Sequence, residues 1–284
     1  MKHCKNLLAT IFLSVFLCVA SLSTAFAAGE ANWEDSTITA TGMGVAPPRA
    51  VNAAQARMMA RRAAVVDAYR QLAETIQGVQ VDAETTVENM MLTSDVIKTK
   101  VSAMIKGAQV ISERATPDGG YEVTVKVSMF GVGNSLAGAV MTNPNPPESF
   151  PAPVPSVTPS IPAGSPAADA PRGKAMGNYT GLIVDCRGLG LNPVMSPVIK
   201  NDSGSPIYGY KNLNIDKVIA NGMASYARDM NGARRAGSNP LVVKAVRLDN
   251  HNANPVLSVA DANRVLIENR ATKFLDETNV VFLR

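Results

Sequence analysis

Ser36-Thr37-Ile38-Thr39-Ala40-Thr41-Gly42-Met43-Gly44, then Pro47-Pro48, then Val51, Ala54, Met58, Val65, Ala68, Leu72 and Ile76 up to Gly78: this stretch decides how the first half of the chain folds. Alternating β-branched residues over 36–41 read as a strand, and Gly42-x-Gly44 as a tight structural turn behind it. The prolines open a helix, since their fixed φ suits its first turn. The apolar positions recur at three-, four- and seven-residue steps, which predicts one long helix with a single apolar face, stopped by Gly78.

Downstream, Val79-Gln80-Val81 reads as a short strand. A second helix is predicted over 95–106, capped by Ser94, with Ile97, Val101, Met104 and Ile105 inward. Two strands, 108–115 and 121–130, are joined by Pro117-Asp118-Gly119-Gly120, a strong turn sequence. The order is βαβαββ. It predicts an α/β (α+β) class fold, a sheet layered with helices.

Between 141 and 176 lie ten of the chain's 18 prolines. They fix φ and remove backbone donors, so the segment is expected to be a flexible, extended linker between two domains, 28–140 and 177–284. In the second, a strand over 179–185 leads into Gly/Pro-rich loops or hairpin edges from 187 to 210. A short helix at 216–221, strands at 223–227 and 241–248, a helix begun by Ser258 and Asp261, and a terminal strand at 280–283 complete a second α/β module. A helix between two apolar strands permits a right-handed crossover.

Lys2 and Lys5 precede an apolar run over 7–20, and Ala25 and Ala27 occupy the small-residue positions before a cut. The segment 1–27 is therefore expected to be a secretory signal cleaved between Ala27 and Ala28. Leu17 rather than a small residue precedes Cys18, so no lipid anchor is expected. Cys4 and Cys18 leave with the signal, and Cys186 stays without a disulfide partner. With 46% apolar and 18% charged residues, and 27 Lys+Arg against 23 Asp+Glu, the chain is neither disordered nor a nucleic-acid-binding protein.

Reactive side chains are few. Gly42-x-Gly44 invites comparison with a dinucleotide-binding loop, but Pro47 stands where the third glycine belongs and no acid ends a second strand. Cys186 and His251, with Asp185 as orienter, form the one conceivable nucleophile–base pair; a buried thiol and a loop histidine are the simpler reading. Arg187-Gly188-Leu189-Gly190-Leu191-Asn192-Pro193 could present backbone N–H groups to an anion, or simply turn. Arg57, Arg61 and Arg62 put positive charge on the long helix, either as a solvated face or as contacts to an anionic partner. One cysteine and one histidine cannot build a zinc shell, and no acidic loop suits calcium, so no metal or cofactor is expected.

Thr41-Gly42-x-Gly44, Ala60, Ala63, Ala64, Asp67, Ala68, Arg70, Leu72, Glu74, Gly78, Val79-x-Val81, Lys106-Gly107 and Asp118-Gly119-x-Tyr121-x-Val123-x-Val125 together resemble the bacterial Lpp-twenty lipoprotein family. They are similar also to the N-terminal domain of flagellar assembly protein T. The resemblance spans residues 36–130. It implies an exported, non-enzymatic protein of a diderm envelope, in the periplasm or peripheral to a membrane, whose partners are envelope or flagellar proteins. The alternative is a module binding peptidoglycan or another anionic polymer; a Cys-dependent enzyme is the remote third.

Overall fold

A computed structural model describes residues 29–142, 145–154 and 174–284. The signal segment, its Ala27/Ala28 cut and the middle of the proline-rich segment lie outside the described residues.

The first half is an antiparallel sheet of β1 (Glu30–Asn32), β2 (Thr37–Gly44), β3 (Gln109–Ala115) and β4 (Tyr121–Ser128), in the order β1-β2-β4-β3. β2 and β4 run in register from Thr37↔Ser128 to Gly44↔Tyr121. Ile38 and Ala40 on β2, with Val123, Val125 and Val127 on β4, point to one face and are buried. Helix α1 (Ala53–Gln77) covers that face, capped by Asn52, whose side chain accepts from Gln55 N.

The packing differs from the periodicity reading. The buried row is Ala60, Ala64, Ala68, Leu72 and Ile76, an unbroken i, i+4 series, while Val51 and Met58 are 84% and 60% exposed. The helix begins at Ala53, behind the extended Asn52 cap, and not at the prolines. Gly42 and Gly44 are not in a turn either; they are strand residues beneath the alanine row. A Cβ on Gly42 would fall on the Ala68 and Ala64 backbone, and one on Gly44 on the backbone of Ala60 and Ala64. Small residues on both sides bring helix axis and strand unusually close.

Gly78 ends α1 as expected, its N–H bonding Glu74 O. Residues 79–81 form only a bridge, Gln80↔Thr86, rather than a strand. A helix α2 (Val87–Thr93) follows, then α3 (Asp95–Lys106), capped by Ser94 as the sequence indicates, with Val101 and Met104 buried. The β3–β4 hairpin turns at Gly119, φ +86°. A short α4 (Leu136–Val140), capped by Ser135, closes the half. The order is thus ββαααββα instead of βαβαββ, although the α/β class stands.

The second half has two sheets. One is parallel, β8-β12-β5-β9, from β5 (Gly181–Asp185), β8 (Ser225–Ala227), β9 (Pro240–Lys244) and β12 (Val280–Leu283). Its central strands β5 and β12 are continuous apolar runs, as a sheet covered on both faces requires. The other joins β6 (Ile199–Asn201), β7 (Pro206–Tyr208), β10 (Arg247–Asp249) and β11 (Asn254–Leu257) in the order β10-β11-β6-β7. The expected single strand over 241–248 is two strands, because the chain changes sheets at Ala245: Ala245 N bonds Asp185 O, and Val246 N bonds Val256 O. The helix α6 (Val259–Thr272) follows β11 of the second sheet and leads back into β12 of the first, so it lies in the connection between β9 and β12, two parallel strands of one sheet. A shorter helix, α5 (Ile215–Asn221), lies between β7 and β8 in sequence.

The halves share one hydrophobic core, which runs from Ile38 and Leu72 through Met129 and Leu136 to Tyr226 and Phe282. Backbone bonds join them: Met195 N to Gln80 O at 3.1 Å, Ser196 N to Val81 O at 2.7 Å, and Gly131 N to Ile219 O at 2.8 Å. Trp33 stands edge-on to Tyr226, centroids 5.6 Å apart.

The described part of the proline-rich segment is a strap and not a free linker. Phe150 stacks on Tyr208 at 6.3 Å, and Pro153 is buried. Asn263 on α6 meets Val154 as a strand would, donating to its carbonyl at 2.7 Å and accepting from its N–H at 2.9 Å. The chain re-enters where Met176 N and Gly177 N donate to the buried Glu268 carboxylate, little more than one turn further along α6. Proline had removed the segment's own pairing, and helix side chains replace it. A protease site engineered between Gly164 and Ser165 should therefore, after cutting, leave two fragments that co-elute in gel filtration; separation without denaturant would contradict the shared core.

Candidate functional site

The residues singled out from sequence do not converge. On α1, Arg61 is engaged: it bonds Glu113 of β3 through Nε and Nη2, at 2.7 and 2.5 Å, and holds that carboxyl below its ordinary range. Arg57 and Arg62 are exposed and have no ion pair among the described residues.

Cys186 is fully buried at the end of β5, with its Sγ towards Val184 O. Burial, with a smaller push from the Asp185 carboxylate, raises its thiol to about 12. His251 is exposed on the loop between β10 and β11, in a left-handed run with Asn250 and Asn252. Asp185 is turned to Arg187, bonded at 2.7 and 2.9 Å. No hydrogen bond links Cys186, His251 and Asp185, so the conceivable dyad is not assembled. At pH 8 the thiolate fraction of Cys186 is on the order of one in ten thousand. Iodoacetamide should leave Cys186 unlabelled in the folded protein, by peptide mass spectrometry, and label it in denaturant; labelling of Cys186 in the native chain would refute the burial.

The loop from Arg187 to Pro193 turns through Gly188 and Gly190, φ +80° and +75°. The anion at its mouth is its own: Arg187 N bonds Asp185 Oδ1 at 3.1 Å. Among the described residues no three His, Cys, Asp or Glu gather as metal ligands, and no helix is long and apolar enough to cross a membrane.

The arrangement that does gather chemistry lies elsewhere. A cleft of about 690 Å³ opens between β1, the C-terminal half of α1 and Pro193 of the second half. Trp33, half-buried, forms one wall, and Arg70, Gln71, Glu74 and Gln80 supply polar groups. Arg70 is held at 2.7 Å from both Asp67 and Glu74, and Gln71 donates to Asp67 at 2.8 Å. Burial alone would raise the Asp67 carboxyl, but bonds from Arg70, Met43 N and Gln71 outweigh it and keep it below its ordinary range. The sequence names Asp67, Arg70 and Glu74 only among the residues that carry the family resemblance, and does not gather them with Trp33, Gln71 and Gln80 into a site. Trp33, the chain's sole tryptophan, was the available signal, but its neighbours come from α1 and from the loop near 193, which only the fold brings together.

Residues 26–128 match the family model of the LPP20 lipoprotein, the family that the first half resembles. Residues 181–284 match a model described as Treponema pallidum Tp0624, second domain. The two matches suggest two domains. The first is similar to the LPP20 lipoprotein. No curated protein matches the chain.

Proposed function

We propose that this is an exported, non-catalytic component of a diderm cell envelope that holds other envelope proteins together, and that it is not lipid-anchored. The match of residues 26–128 to the LPP20 lipoprotein carries the reading. Support for a non-catalytic role comes from Cys186, buried in the core, from Asp185, bonded to Arg187, and from His251, exposed on its loop with no hydrogen bond to either. The narrower form of the proposal places the protein at the flagellar basal body. Crosslinking and capture from intact envelopes, with separation of periplasm, inner and outer membranes, tests it. Recovery with envelope or basal-body proteins, and a mature N-terminus at Ala28 without lipid by mass spectrometry, is the expected result. A hydrolase activity lost on Cys186→Ala would overturn it.

A second reading, attachment to peptidoglycan or another anionic wall polymer, is favoured by the exposed Arg57 and Arg62, which have no carboxylate partner among the described residues. Sedimentation with purified cell wall should weaken with salt and in Arg57→Glu/Arg62→Glu; salt-independent absence of binding retires it.

A further inference from the structure

The cleft walled by Trp33 has features that packing does not demand. Gly78, at its edge, has φ −77°, which any residue adopts, and a Cβ there would meet nothing nearer than Thr75 O at 3.6 Å. A glycine that neither turn nor packing needs leaves the cleft open. Trp33 has its edge contact with Tyr226, yet keeps part of its surface accessible at the wall. The lining carries one positive and one negative side chain, Arg70 and Glu74, so it has no net charge to attract a polyanion. Arg70 and Gln71 are oriented in advance by Asp67, which lowers the entropic cost of using them. The cleft sits where the two halves pack, a common place for ligand sites.

A sugar ring answers to this combination. Its C–H face packs on an indole, which offers large area with few rotatable bonds. Its hydroxyls suit the Arg70–Glu74 pair, and an acetamido group, both donor and acceptor, suits the amides of Gln71 and Gln80. We propose that the cleft binds a neutral N-acetylated amino-sugar glycan, with Trp33 as the packing face. The inference rests on the wall-polymer reading above, but assigns recognition to the glycan backbone and not to charge.

Because Trp33 is the sole tryptophan, its emission in the mature full chain reports the site directly. Titration with chitotetraose and with the amino-sugar disaccharide from digested peptidoglycan should each give a saturable shift; stem peptide alone should give none. A shift with the disaccharide but not chitotetraose would overturn the proposal, because the disaccharide also carries a lactyl carboxylate and the neutral sugar would then not be what is recognised. Gly78→Met should weaken binding about tenfold or more with an unchanged urea midpoint, and Trp33→Phe similarly by calorimetry. No saturable shift, or variants that bind like the parent, would overturn the proposal. Whole cell wall separates the two levels. If parent and Gly78→Met sediment equally, the wall reading survives and the cleft fails; if the parent does not sediment, both fail.

Discussion

Gly42→Val should cost about 3 kcal/mol or more, read as a fall in the urea midpoint. Overpacking commonly costs about 1–3 kcal/mol because neighbours give way. Here they cannot: the new Cβ meets the backbone of α1 at Ala64 and Ala68, and that helix is fixed by its Leu72 and Ile76 anchors in the core. Relief would require lifting the helix from β2, exposing Ile38 and Ala40 as well. Gly44→Val should behave alike, against Ala60 and Ala64. Gly133→Ala is the control. A Cβ there meets nothing within 4 Å, so its effect should stay within about 0.5 kcal/mol. Equal midpoints for Gly42→Val and the control would show that the strand–helix contact is looser than described.

Tyr226→Ala is expected to lower the stability of both halves together, by about 3–5 kcal/mol. The ring is 3% exposed and sits between Trp33 and Phe282, at 5.6 and 5.7 Å. Its hydroxyl donates to Val194 O at 2.7 Å and accepts from Val194 N at 2.9 Å. Truncation opens a cavity at the seam and leaves both backbone groups unpaired. Tyr226→Phe isolates the second effect, about 1–3 kcal/mol. Trp33 emission reports the first half and far-UV circular dichroism the whole chain; the two denaturation curves should coincide in the parent and shift together in the variant. Two separate transitions, with only one moved, would mean that the halves fold independently, as a flexible proline tether implies.

How much was legible depended on how local the determinant was. Ser94 as the cap of α3, the Pro117-Asp118-Gly119-Gly120 hairpin, the helix stop at Gly78 and the apolar strand at 280–283 are encoded within a few residues, and all are where the sequence puts them. Gly42 and Gly44 were misread because glycine has the same appearance whether it bends a chain or admits a helix. The face of α1 was misread because alanine weighs little as a hydrophobe, yet here it is what close approach requires. The same is true of the proline segment: Asn263 and Glu268 look like ordinary polar positions on a helix until Val154, Met176 and Gly177 are laid against them.

The sequence by itself determined the α/β class, the export signal as an expectation, the shortage of nucleophiles and the resemblance of the first half, since composition, periodicity and capping act over short range. Only the tertiary structure decided that the halves share a core, that the strand over 241–248 divides between two sheets, that Arg61 is engaged while Arg57 and Arg62 have no ion pair among the described residues, and that Trp33 lines one cleft with Arg70, Glu74 and Gln80. Those are contacts between residues far apart in the chain, and no local preference specifies which distant surface a side chain will meet.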